Sequence, residues 1–69
     1  MQLTKRQAEA LQFIQEFTDT HPYSPSLREI SAGLGLKSVS PAKSLVDALA
    51  EKNYIHYQPG SHRSIRVTK

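Results

Sequence analysis

Lys37-Ser38-Val39-Ser40-Pro41-Ala42-Lys43-Ser44 places three hydroxyls and two ammonium groups around the start of a helical stripe formed by Ala42, Leu45, Val46 and Leu49. Serine at a helix start has two uses. Its oxygen can cap the first turn, which contributes about 1 kcal/mol. The hydroxyl, the free N–H groups and the positive dipole end can also meet something negatively charged. Ser40 is the expected N-cap and Pro41 the expected first helical residue, since the N–H that proline lacks would be unpaired there anyway. Lys43, Ser44 and Asp47 fall opposite the apolar stripe and face outward.

The charge of the chain points the same way. Among 69 residues the net charge is +3, but it is unevenly spread. Residues 1–36 carry three basic and four acidic groups, for a net of −1, and residues 37–69 carry six and two, for +4. No acid follows Glu51. A basic half suits a polyanionic partner. There is no cysteine, and His21, His56 and His62 lack zinc spacing, so neither disulfides nor a metal centre is expected. Paired catalytic carboxylates, a nucleophile with an activating base and a glycine-rich phosphate loop are absent as patterns. The sequence therefore reads as a non-enzyme without a cofactor. No apolar run reaches membrane-spanning length and no signal pattern opens the chain, so a cytoplasmic protein without membrane partners is the expectation.

The elements that hold these residues can be placed from local chemistry. Thr4 and Gln7 form a capping box for a first helix over about 4–19, with Ala8, Leu11, Ile14 and Phe17 as its stripe, widened by Ala10 and Phe13. Pro22 disfavours helix at His21. Ser26 and Glu29 form a second capping box, starting a short helix over about 26–34 that buries Leu27, Ile30 and Leu34. Gly35 suits a left-handed C-terminal cap. The third helix spans about 40–52, and Asn53 can close it. The period then changes. Tyr54–Gln58 and Ser64–Thr68 alternate around Pro59-Gly60, which fits a type II turn, giving a hairpin over about 54–68 with Ile65 and Val67 on one face. Tyr23, Tyr54 and Tyr57 could stack on bases, but the latter two suit packing of a half-buried hairpin better.

Three helices followed by a hairpin in one domain, residues 1–69, make a mainly α fold with a small β-hairpin. The glycine-containing turn between helices two and three is a helix-turn-helix signature, and the hairpin would be its wing. In that architecture the start of the second helix of the motif contacts base edges, which brings Lys37, Ser38, Ser40, Lys43 and Ser44 to duplex DNA. Lys43 suits guanine O6/N7 or a phosphate; Asp47 could accept from cytosine N4 or repel phosphate. Ser26 and Arg28 would brace the motif near the DNA backbone. Ser61, His62 and Arg63, with Arg66 behind them, would supply wing contacts, or simply protect an edge strand.

Several segments also resemble the N-terminal DNA-binding domain of LexA-type repressors: Leu3-Thr4-x-Arg6-Gln7, Pro25-Ser26-x-x-Glu29-Ile30, Leu34-Gly35-Leu36-Lys37-Ser38, Ala48-Leu49-x-x-Lys52 and Gly60-Ser61-x-Arg63-x-Ile65-Arg66. The resemblance runs over nearly the whole chain. It implies a winged helix-turn-helix that binds operator DNA as a pair of domains on a two-part site. Two departures stand out. The family continues into a self-cleaving Ser/Lys peptidase domain that also dimerises, whereas this sequence ends at Lys69, which is the pattern of a stand-alone small regulator or an excised domain. The family also commonly shows Ser-Pro-Asn-Ala-Ala-Glu-Glu at the third helix, where this chain has Lys43 and Ser44 in place of the acidic pair and Ser40 in place of the asparagine. A different operator is expected. The competing class is a protein-interaction module that acts on another regulator, since fold alone does not fix function. A contiguous positive face would favour DNA, and an exposed apolar patch would favour protein.

Overall fold

The structure, a computed structural model, describes residues 3–58 and 65–68. Its elements are α1 (Lys5–Thr20), α2 (Leu27–Gly33), α3 (Val39–Glu51), β1 (Ile55–His56) and β2 (Arg66–Val67). The strands pair antiparallel, Ile55 opposite Val67 and His56 opposite Arg66. Three helices and a small hairpin match the winged helix-turn-helix expected from the sequence. Pro59-Gly60, Ser61, His62 and Arg63 lie outside the described residues.

Both capping boxes form. Thr4 Oγ1 accepts from the Gln7 N–H at 3.2 Å, and Gln7 Oε1 accepts from the Thr4 N–H at 3.1 Å. Ser26 Oγ accepts from the Glu29 N–H at 3.1 Å, with the return bond at 2.9 Å. His21 ends α1 in extended backbone, as the following proline requires. α2 and α3 end alike. At α2, Gly35 turns left-handed (φ 70°), its N–H bonds the Ala32 carbonyl and the Leu36 N–H bonds the Ser31 carbonyl. At α3, Asn53 (φ 66°) takes that place, with Asn53 N–H on Ala50 and Tyr54 N–H on Leu49. This double bond pattern satisfies carbonyls that a helix end otherwise leaves orphaned.

The start of α3 departs from expectation. The N-cap is Ser38, not Ser40, and the helix begins at Val39. Ser38 is extended, yet its side chain makes no cap bond. The reason is chemical. In α1 and α2 the cap oxygen takes the N–H of the third helical residue. In α3 that third residue is Pro41, which has no N–H. Proline is tolerated there because this N–H has no intrahelical partner in any case.

Ala10, Ile14, Ile30, Ala42, Val46, Leu49, Ile55 and Ile65 form the core, each at most 3% exposed. The stripe of α1 is rotated from the sequence reading. Ala10 and Ile14 point fully inward, whereas Ala8 is exposed. At 3.6 residues per turn, two residues sit about 200° apart, so Ala8 and Ala10 cannot share a face. Phe17 leaves the core and stacks on His21, ring centroids 3.9 Å apart. Phe13 instead lies over Gly33, where an added Cβ would come within 2.1 Å of the Phe13 ring. Tyr54 and Tyr57 pack half-buried against the core.

Two outcomes are expected from chemical denaturation. Thr4→Ala and Ser26→Ala each lower stability by about 1 kcal/mol, whereas Ser38→Ala lowers it by less than about half of that, since it removes no cap bond. Gly33→Ala destabilises by about 1–3 kcal/mol through the collision with Phe13, and Phe13→Leu in the same chain recovers part of the loss.

Candidate nucleic-acid interface

The helix-turn-helix is held at its bend by a buried hydroxyl. Ser31 in α2 is 5% exposed, and its Oγ donates to the Ser38 carbonyl at 2.7 Å, with the Leu36 carbonyl at 3.4 Å. A hydroxyl has one proton, so the shorter contact is the principal bond. It ties the inside of α2 to the first residue before α3. Arg6 of α1 reaches the same bend from outside, at 3.5 Å from the Leu34 carbonyl, while pairing with Glu9 at 3.2 Å. At the other end of α3, Lys52 donates to Gln7 Oε1 at 2.7 Å, joining that end to the start of α1.

On this frame the structure brings Lys37, Ser38, Ser40, Lys43 and Ser44 together at the exposed front of α3, with Val39 and Pro41 exposed between them. Their backs are buried through Ala42, Val46 and Leu49. Because no side chain caps the helix, its first N–H groups and positive dipole end are left to an external acceptor.

Lys43 and Asp47 form an ion pair, Nζ to Oδ2 at 3.0 Å, both about half exposed. The Lys43 ammonium is held above its ordinary value of 10.5. The hydrogen bond to Asp47 contributes most, then the attraction of that carboxylate, with Tyr57 adding a smaller push against slight desolvation.

The other sequence-derived candidates divide. Arg28 is exposed on α2. Ser26 is buried, at 8% exposure, and its oxygen is committed to the cap of α2. Its place is to fix where α2 starts, which leaves Arg28 as the outward group of that pair. Arg66 is exposed opposite His56 and lines an open cleft of about 490 Å³ with Thr18, His21, Tyr23, Ser24 and Val67. Ser61, His62 and Arg63 lie outside the described residues.

Two residues and one pairing escaped sequence reasoning. Ser31 was given no role from the sequence, and only the bend reveals what it bonds. The Lys43–Asp47 pairing has a readable signal, opposite charges four apart on a helix. Val39, 37% exposed at the helix start, was taken for connection.

Among the described residues no cluster of histidine and carboxylate groups could hold a metal, and no helix is long and apolar enough to cross a membrane.

The family model of the LexA DNA binding domain matches residues 1–64. The LexA repressor of Cellvibrio japonicus is 42% identical over 67 residues, covering 97% of this chain and 34% of that protein. That of Pseudomonas aeruginosa (strain LESB58) is 43% identical over 65 residues, covering 94% and 32%. That of Hahella chejuensis is 42% identical over 67 residues, covering 97% and 34%. The chain thus spans about a third of the length of these curated relatives. By the match over residues 1–64 and these identities across nearly all of its length, the chain belongs to the LexA DNA-binding domain family.

Proposed function

We propose that the chain binds operator DNA sequence-specifically as the DNA-binding domain of a LexA-like transcriptional repressor. α3 enters the major groove with Lys37, Ser38, Ser40, Lys43 and Ser44 at its front. Val39 offers an apolar contact suited to a thymine methyl group. Arg28 reaches the DNA backbone from α2, whose start is fixed by the Ser26 cap. The wing adds Ser61, His62 and Arg63. The observation that carries this reading is the exposed, uncapped start of α3, standing on a buried apolar back. The rival protein-binding role would need an apolar patch. Among the described residues the large apolar side chains exposed by more than about a third are Tyr23 (45%) and Val39 (37%).

A LexA DNA-binding domain is non-catalytic, and no reaction is assigned to residues 1–69. One module of this size buries about 600–1,000 Å² of protein surface on DNA. Useful specificity therefore calls for two copies on a two-part site, whose spacing mirrors the pairing of the domains.

Selection from a random duplex pool at near-physiological salt is expected to enrich a two-part motif. Binding that is salt-sensitive and blind to sequence would overturn the proposal. Lys43→Ala is expected to change the ranking of operator variants. A uniform loss across them would make Lys43 a phosphate contact. Arg63→Ala is expected to lower the slope of log affinity against log salt by about one unit. An unchanged slope would remove that wing contact.

A further inference from the structure

We propose that Lys43 and Asp47 act as one donor–acceptor pair that reads a single G·C base pair, Lys43 donating to guanine O6 and N7 and Asp47 accepting from cytosine N4. This assignment rests on the DNA-binding role above and deepens it.

The geometry points to one base pair. Lys43 and Asp47 lie one turn apart on the outward face of α3, with Nζ and Oδ2 3.0 Å from each other. In the major groove a G·C pair shows guanine N7 and O6 as acceptors beside the cytosine N4 donor. Guanine O6 and cytosine N4 are themselves partners in an N–H···O bond, which spans about 2.9 Å. A donor and an acceptor held 3.0 Å apart therefore face an acceptor and a donor at matching spacing. An A·T pair fits less well. It offers the ammonium no adjacent pair of acceptors, and it places the thymine methyl group beside O4.

The two plain roles for this pair are weak. As a stabilising helix pair it runs in the poorer direction, with the cation nearer the N-terminus. Its exposure places it among surface ion pairs, which contribute little. As a source of affinity it is self-cancelling, because a lysine neutralised by an aspartate adds no net charge toward phosphate. What it retains is direction: a donor and an acceptor side by side, with side-chain freedom already spent.

The test uses the duplex recovered by selection and the 69-residue chain with Asp47→Ala. Asp47 is exposed, so the variant is expected to retain the wild-type circular dichroism spectrum. At one position, replacing cytosine by 2-pyrimidinone, which lacks the N4 amino group, is expected to weaken wild-type binding roughly tenfold. Asp47→Ala is expected to respond to that replacement less than about twofold, while binding random-sequence duplex more tightly than wild type because a negative charge is gone. Replacing the paired guanine by 7-deazaguanine is expected to weaken wild type and leave Lys43→Ala indifferent. If Asp47→Ala strengthens binding to every duplex equally and keeps the full response to 2-pyrimidinone, Asp47 only repels phosphate and the proposal falls. It falls too if no cytosine position responds in the wild type. Failure of the parent reading looks different: the wild type then selects no motif at all.

Discussion

The bond from the Ser31 hydroxyl to the Ser38 carbonyl sets where α3 begins. It is short, buried and non-local, joining the inner face of α2 to the residue just before α3. The other two helices announce their starts through side-chain caps three residues long. α3 has no such device, since proline occupies the position that would donate to it. Its start is therefore defined by the turn behind it. The left-handed Gly35 closes α2, and Ser31 pins the peptide that leads into α3. The exposed hydroxyl and ammonium groups inherit their placement from that buried contact.

Packing then fixes the direction of the helix. Ala42, Val46 and Leu49 are fully buried against residues of α1, α2 and the hairpin. Gly33 lets Phe13 come over the end of α2 at a distance no Cβ would permit. The Lys52–Gln7 bond holds the far end of α3 to α1. The polar front thus stands on a back that is anchored at both ends and along its length, which is what a surface that reads base edges requires.

Most of this frame was legible because its signals are local. A capping box needs only residues three apart, so Thr4–Gln7 and Ser26–Glu29 could be read directly. Gly35 and Asn53 are the residue types that tolerate a left-handed backbone, and both adopt it. What escaped was decided elsewhere in the molecule. Ser38 and Ser40 are equally good caps by type. Choosing between them requires the length of the turn, which Ser31 sets from another helix. The α1 stripe was misjudged by grouping Ala8 with Leu11, Ile14 and Phe17 at a strict spacing of three, a period that drifts around a real helix. Of the candidate site, the row along α3 could be found from outward spacing alone. The commitment of Ser26 to its cap, and the pairing of Lys43 with Asp47, depend on which partner each side chain meets.

The missing cap on α3 also bears on how the molecule folds. α1 and α2 carry local start signals, whereas the residue before α3 is positioned by a bond from a serine of another helix. Nucleating a helix is costly, and 13 residues are marginal in isolation. α3 therefore depends on docking against α2 for the placement of its first turn. A partly unfolded chain would carry the same serines and lysines yet present no organised face. The organised surface is thus a property of the packed helix pair and not of the α3 segment alone.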